Sequence, residues 1–275
     1  MADLTSVYAK MDRAYFHACD LQKKLRVALD PNFYRFIAEG DGKPSKQVYR
    51  IEGLPAVTPE WSLIFGDFLT NARAAVDHLA CQLAKLEGPS TCKHTQFPIM
   101  DSSLNKQGEP RLPQIRGVTN QHVIDALIAV QPYTAVERYG HPLGETVLHV
   151  LRTLVNIDKH RLLLVTMHAL HPDEAWWGIP EGREPPGFRF ELGALEDRAP
   201  VAWFDFGDSE PYPGFDPHLS LTVRLRGHGG LAWLPLLELT SILGSEVEEM
   251  IGQHFAPFFG NGVRHDVLRA WRNLG

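Results

Sequence analysis

The clearest helical pattern in the chain lies at residues 58–86, which read TPEWSLIFGDFLTNARAAVDHLACQLAKL. Apolar side chains recur there every three or four positions, the spacing that places them on one face of an α-helix. Thr58 is a favourable N-cap, and Pro59 suits the first helical position because no intrahelical partner is lost there. Gly88 and Pro89 end the pattern. The predicted buried face consists of Ile64, Phe68, Ala72, Ala75, Val76, Leu79 and Leu83.

The remaining patterns predict an α+β fold. Helical spacing recurs at residues 3–29, 120–130, 142–167 and 236–256. After Pro172 the apolar residues alternate with a period of two, which is typical of half-buried strands. The predicted strands are residues 188–192, 200–206 and 219–225, with a further short one at 48–51. We therefore predict a mainly helical bundle with a small antiparallel sheet and a closing C-terminal helix.

No internal repeat or low-complexity tract divides the chain, and we predict a single structural unit. Residues 1–171 are expected to form the helical core. Residues 172–235 are expected to form the antiparallel β segment, and residues 236–275 a C-terminal helix and tail that pack on the bundle.

The composition is that of an ordinary globular protein, with 44% hydrophobic and 22% charged residues. No apolar run approaches the roughly 20 residues that cross a bilayer, and the N-terminus lacks the features of a secretory signal. Cys19, Cys81 and Cys92 are odd in number and have no Cys-x-x-Cys spacing, so we predict reduced thiols, with Cys81 packed as a small hydrophobe. These features predict a cytoplasmic protein that does not associate with membranes.

The formal net charge of −6 argues against a protein that is basic overall and binds nucleic acid through its whole surface. Proteins that hold nucleic acid mainly through phosphates usually carry a basic field, because neutralising phosphates releases counterions. An RNA-binding role therefore requires a local basic cleft.

Two predicted helices each carry a row of polar side chains. In the helix at 58–86, Asn71 and His78 share one face, and Arg73 and Asp77 form the adjacent row at ion-pair spacing. The helix that follows residue 142 repeats the arrangement beside Arg152. Its polar row consists of His149, Asn156, Lys159 and His160. If the two helices pack together, this pattern predicts either a functional site or a buried network that fixes helix register.

Over about residues 60–165 the chain resembles a family of uncharacterised bacterial proteins. The motifs that carry this resemblance are NARAAVDHLA at 71–80, QFPI at 96–99, QPY at 131–133 and NIDKHR at 156–161. The resemblance implies a shared fold, and no activity, because none is established for that family.

Arg73 and His78 are spaced like the Arg and His of the motif that marks the HEPN superfamily of helical proteins. Many of its members are metal-independent ribonucleases of toxin or defence systems. The resemblance implies that His78 acts as general acid or base while an RNA 2′-hydroxyl attacks its own phosphate, and that Arg73 stabilises the phosphorane oxygens. Asp77 or Asn71 would orient these groups. It also implies an endoribonuclease that needs no cofactor and works as a homodimer, although Ala74 stands where the motif often has a polar residue.

Two other classes remain open. One is a metal-dependent helical-bundle enzyme that uses His17, His78, His149 and His160. Glu145 and His149 are four residues apart rather than three, and neither His-Glu-x-x-His nor paired Cys-x-x-Cys occurs. The spacing of His168 and His171 is the other weak indication of metal binding. The second class is a non-catalytic binding or structural protein, whose aromatic residues Trp176, Trp177, Trp203 and Trp233 either pack in the core or line a partner surface.

Overall fold

The computed structural model describes residues 2–40, 45–88, 92–169, 186–191, 193–211, 215, 220–226 and 234–274. Seven α-helices and six β-strands occur within these ranges. The strands are antiparallel to their neighbours, and a helix lies near the C-terminus. The predicted α+β class is confirmed.

The chain forms two compact units. The described residues of Met1–Gln22, Glu60–Leu163 and Gly227–Gly275 make a helical unit, and those of Lys23–Pro59 and Leu164–Arg226 make a sheet unit. This division differs from the predicted ranges because the sheet unit takes strands from two distant parts of the chain. Pairing between such segments leaves no local pattern in the sequence.

The helices have the following bounds: α1 Thr5–Ala28, α2 Pro59–Leu86, α3 Gln121–Ala129, α4 Pro132–Tyr139, α5 Val147–His160, α6 Leu236–Met250 and α7 His265–Arg272. The Asn120 side chain caps α3 by accepting a hydrogen bond from the His122 backbone N–H. Gly140 ends α4 in the left-handed conformation, with φ of 69°. None of these helices, within the described residues, combines the length and apolarity needed to cross a bilayer.

The prediction of one helix over residues 142–167 was wrong for the residues after His160. The helix ends at His160, Arg161 is extended, and Val165–Ala169 forms a strand. The run of leucines and valine at 162–165 suits a helix or a strand equally, and its pairing partner decides between them. The helix predicted at 236–256 is α6 followed by a π-helical turn at Ile251–Phe255.

The strands are β1 Arg35–Gly40, β2 Lys46–Glu52, β3 Val165–Ala169, β4 Gly187–Phe190, β5 Pro200–Asp205 and β6 Leu221–Leu225. One sheet has the order β1-β2-β5-β4, and β3 pairs with β6 in a second. Val48 pairs with Trp203, and Phe188 pairs with Phe204. The sheet thus includes β1 and β2, from a region where only a short strand at 48–51 was predicted.

The core of the helical unit is built around α2. Its Phe65, Phe68 and Leu69 side chains are fully buried. Near the other end of the chain, Trp271 of α7 lies so close to α6 that a Cβ added at Gly244 would overlap its ring. The helices α2 and α5 also approach closely, because a Cβ at Gly66 would lie 2.5 Å from Asp158 Oδ1. The condition for the two polar rows to meet is therefore satisfied.

Candidate functional site

The site is organised by an irregular segment, residues 96–101 (QFPIMD), which we call the strap. Its backbone is held by side chains from helices. The Phe97 N–H donates to Asp77 Oδ1 at 2.9 Å, and the Phe97 carbonyl accepts from Arg73 Nη2 at 3.1 Å. Arg73 and Asp77 also bind each other through two hydrogen bonds of 3.1 and 2.8 Å. The ion pair predicted from their spacing is present, and it clamps the strap to α2.

Gln131 holds the middle of the strap. Its Oε1 accepts from the Met100 N–H at 2.9 Å, and its Nε2 donates to the carbonyls of Pro98 and Leu127 at 3.0 and 2.9 Å. Gln131 is 1% exposed, so losing any of these bonds would leave a buried polar group unpaired. The QPY motif therefore contributes a structural clamp, which its sequence did not indicate.

Asp101 ends the strap in a charged cluster with α5. Its carboxylate accepts from Arg152 Nη2 and lies 3.0 Å from His149 Nδ1. Arg152 Nη1 also donates to the Ile99 carbonyl at 3.1 Å. Burial raises the pKa of Asp101, but the hydrogen bonds from Arg152 and His149 outweigh it and leave the pKa below the ordinary value.

Replacing Asp101 with Asn is expected to cost about 1 kcal/mol at neutral pH, since the cluster is partly exposed. Because the pKa of Asp101 is lower in the folded protein, its ionised carboxylate stabilises the fold at any pH above the unfolded pKa of 3.8. This stabilisation is lost as the pH falls below that value and through the folded pKa. Urea denaturation at pH 7 and pH 3 measures this. The difference between wild type and variant should shrink at pH 3, and a constant difference would contradict the assignment.

The strap, α2 and α5 surround a cleft of about 400 Å³. Its lining contains four cationic side chains and one carboxylate: Arg73, Arg111, Arg152 and Lys159, with Asp77. Side-chain amides of Gln96, Gln114 and Asn156 also line it. The local charge is thus opposite in sign to the net charge of the chain.

The cations of the cleft differ in how far they are already compensated. Arg73 and Arg152 are paired with carboxylates, yet Arg73 Nη1 is buried and has no hydrogen-bond partner among the described residues. Arg111 and Lys159 are exposed, and no carboxylate in the described part of the chain pairs with them. The cleft therefore has N–H donors that no carboxylate occupies, and such donors can bind an anion.

The structure brings together only part of the predicted site. Arg73, Asp77, Asn156 and Lys159 line the cleft. Asn71 lies on a different face of α2, where its Oδ1 accepts from Lys10 Nζ of α1 at 3.5 Å.

His78 shares the Asn71 face, because the two residues are seven apart on one helix. Arg73 and His78 are separated by about 140° around the axis of α2. The cleft lining does not include His78. Within one chain, Arg73 and His78 therefore do not face the same cavity.

The two histidines of the second polar row lie apart from the cleft as well. His149 contacts Asp101 at the end of the strap, and His160 is an exposed residue at the end of α5. No three His, Cys, Asp or Glu side chains within the described ranges are placed to hold a metal ion together. His168 lies 2.8 Å from Thr166 Oγ1 through its Nε2, and His171 lies outside the described residues.

Of the four tryptophans named above, the structure describes only Trp203, since Trp176, Trp177 and Trp233 lie outside the described residues. Trp203 is half-buried in β5, and the Arg189 guanidinium lies 4.0 Å from the centre of its ring. This stacking is a cation–π contact within the sheet unit.

The prediction of reduced cysteines was wrong for two of the three. Cys81 and Cys92 form a disulfide, with Cα atoms 5.2 Å apart, and Cys19 is free. Their separation of 11 residues matches no metal or redox motif. The pairing arises because residues 92–97 lie beside α2, which cysteine spacing alone does not reveal.

A second cavity in the helical unit is larger, about 570 Å³, but its charge is opposite. Glu145, Glu246 and Glu249 line it, and no Lys or Arg is among its lining residues. Burial raises the pKa of Glu246, and the neighbouring Glu249 raises it further. A phosphate would be repelled there, so the smaller cationic cleft is the candidate site for an anion.

No protein-family model, curated protein or solved structure matches this chain. Arg111 and Gln114 were missed by sequence reasoning, since they lie in an irregular segment where no periodicity marks them. Arg152 was noted only as a neighbour of the second polar row, and Gln96 only as the first residue of the QFPI motif.

Proposed function

We propose that this protein binds single-stranded RNA through its phosphate groups at the cationic cleft, as a HEPN-like protein that does not cleave the RNA. The observation that carries the proposal is the convergence of Arg73, Arg111, Arg152 and Lys159 on one cavity. Guanidinium groups suit phosphate because they donate two parallel hydrogen bonds to its oxygens.

Several properties of the cleft favour RNA of the single-stranded kind. Its volume of about 400 Å³ suits one nucleotide unit rather than a duplex. The amides of Gln96, Gln114 and Asn156 offer donors and acceptors to a ribose 2′-hydroxyl or to the edge of an unpaired base. An overall charge of −6 limits contacts elsewhere on the surface, so binding would be local and strongly salt-dependent.

The absence of cleavage follows from where the acid–base group lies. Arg73 lines the cleft, but His78 faces away from it, and no imidazole is among the cleft residues that the structure describes. A ribonuclease would need a general base within hydrogen-bond distance of the 2′-hydroxyl, to accept its proton. In a homodimer a second copy would have to supply it.

Binding is tested by fluorescence anisotropy with a labelled single-stranded RNA across a series of salt concentrations. The Arg111→Ala/Lys159→Ala variant is expected to bind roughly tenfold more weakly, because two uncompensated cations are lost. The slope of log K against log salt should fall by about 1.4 for two lost contacts. Arg116→Ala/Arg138→Ala makes the same charge change on exposed residues outside the cleft lining. An equal loss in this control, or no binding by wild type, would overturn the proposal.

Cleavage is tested by incubating the same RNA with wild type and His78→Ala in EDTA. We expect the RNA to stay intact with both proteins, while binding is unchanged in the variant. Metal-independent cleavage by wild type that is lost in His78→Ala would replace our proposal with the ribonuclease function. Sedimentation of the protein with and without RNA would then show whether a dimer assembles the site.

A further inference from the structure

The cleft is connected to the Cys81–Cys92 disulfide by one row of α2. Arg73, Asp77 and Cys81 are spaced four apart, so they lie along the same side of the helix. All three hold the same segment of chain. Arg73 and Asp77 bind the backbone of Phe97, and Cys81 is bonded to Cys92. The disulfide is therefore a covalent extension of the clamp that positions the strap.

The segment between the disulfide and the strap is held in an unusual backbone conformation. Cys92 and His94 have φ of 55° and 62°, in the left-handed region that residues other than glycine rarely adopt. Such conformations persist only where the surroundings enforce them. Within the segment, the Thr95 N–H donates to the Cys92 carbonyl at 3.2 Å, and Gln96 is exposed. The disulfide is the strongest connection that the segment makes to α2.

We propose that the Cys81–Cys92 disulfide is a redox switch for the cationic cleft, an inference that rests on the proposed RNA-binding function. With the bond formed, residues 92–96 are fixed to α2 and Gln96 keeps its place in the cleft lining. With the bond broken, the segment relaxes from its left-handed conformation and the strap loses its N-terminal anchor. The oxidised protein therefore binds RNA more tightly than the reduced protein.

The reductant that opens the switch is a dithiol. One of its thiolates attacks a sulfur of the Cys81–Cys92 bond, giving a mixed disulfide and one protein thiolate, which takes up a proton. The second thiol of the reductant then displaces the other protein sulfur. The protein gains two electrons and two protons as two thiols, and the reductant leaves as a disulfide. Both cysteines are half-buried, and neither is sealed in the core.

The test compares the affinity of the oxidised and dithiothreitol-reduced full chain for the labelled single-stranded RNA. Alkylation and mass spectrometry establish how many thiols are free in each sample. We expect roughly tenfold weaker binding after reduction, and the Cys92→Ser variant should bind like the reduced protein under both conditions. Cys19→Ser should respond to reduction like wild type, because Cys19 is not part of the disulfide.

Hydrogen exchange of the Phe97 amide provides a readout that does not depend on RNA. This amide donates to Asp77 in the clamp, so its protection should fall when the disulfide is reduced. Equal RNA affinity and equal Phe97 protection in the two states would overturn the switch while leaving RNA binding intact. Loss of protection with no RNA binding in either state would instead overturn the proposed function. Circular dichroism of Cys92→Ser checks that the helices still form.

Discussion

Replacing Glu248 with Gln is expected to lower the free energy of unfolding by about 3 kcal/mol, since it breaks a buried ion pair from one side. Glu248 is 1% exposed, and its carboxylate accepts two hydrogen bonds from Arg264 at 2.7 and 2.8 Å. The amide of Gln carries no charge to balance the guanidinium. The Gln oxygen can still accept one hydrogen bond, but the remaining carboxylate partner of Arg264 would be Asp12, at 2.9 Å, and the guanidinium would still lie over the Tyr8 ring.

The guanidinium cannot escape this loss by becoming neutral. Burial lowers the pKa of Arg264, but the hydrogen bonds and charges of Glu248 and Asp12 raise it above the ordinary value. The variant loses the Glu248 contribution, but its guanidinium also stays charged, because even an unperturbed Arg titrates far above neutral pH. The destabilisation should therefore be the same when measured at about pH 6 and at about pH 8. Urea denaturation followed by circular dichroism measures it as a lower midpoint at constant slope.

Glu249→Gln is the matched control for this variant. Glu249 pairs with Arg272 at 2.7 Å, but the Arg272 side chain is 60% exposed. Because exposed ion pairs contribute little, the control should change stability by at most about 1 kcal/mol. A similar small loss in both variants would show that burial gives the Glu248 pair no special strength.

The elements predicted best from the sequence are those decided by local periodicity. The segment at 58–86 has a stop signal and an unbroken apolar face, and α2 follows it closely. The predicted N-cap was wrong, because the Thr58 hydroxyl is buried and makes no hydrogen bond among the described residues. The strand β6 alternates apolar and polar residues, and both β5 and β6 were predicted within two residues. The Arg73–Asp77 pair was also predictable, since four residues along a helix bring two side chains together.

What the sequence could not predict depends on contacts between distant residues. The pairing of β2 with β5 joins residues about 150 positions apart in the chain, and the disulfide needs Cys92 to lie beside α2. The strap is held by Gln131 and Arg152, whose bonds are to backbone groups with no pattern of their own. Arg111 enters the cleft from an irregular segment, where no sequence pattern marks it. One of the two uncompensated cations of the cleft could therefore not be predicted.

Replacing Asp77 with Asn is expected to change stability and RNA affinity in opposite directions. Asp77 compensates Arg73 through two hydrogen bonds, and the two side chains are 26% and 15% exposed. Leaving this mostly buried guanidinium without its counter-ion should cost about 2 kcal/mol of unfolding free energy. The Asn oxygen still accepts from the Phe97 N–H, so the strap should stay in place.

RNA affinity should rise in the same variant. We expect the dissociation constant to fall by about threefold. Asp77 is the one carboxylate among the cleft residues that the structure describes, and removing it reduces repulsion of phosphate and frees donors of Arg73. A threefold change corresponds to about 0.7 kcal/mol. Urea denaturation and anisotropy with the labelled RNA measure the two effects on one preparation.

Asp67→Asn provides the control on the same helix, because Asp67 is exposed and does not line the cleft. It should leave both quantities nearly unchanged. If Asp77→Asn lowers stability and RNA affinity together, the Arg73–Asp77 pair is a structural clamp whose loss opens the strap. If affinity rises as stability falls, the Asp77 carboxylate positions Arg73 but competes with a bound anion for the Arg73 donors. The Arg73–Asp77 pair then belongs to the binding site.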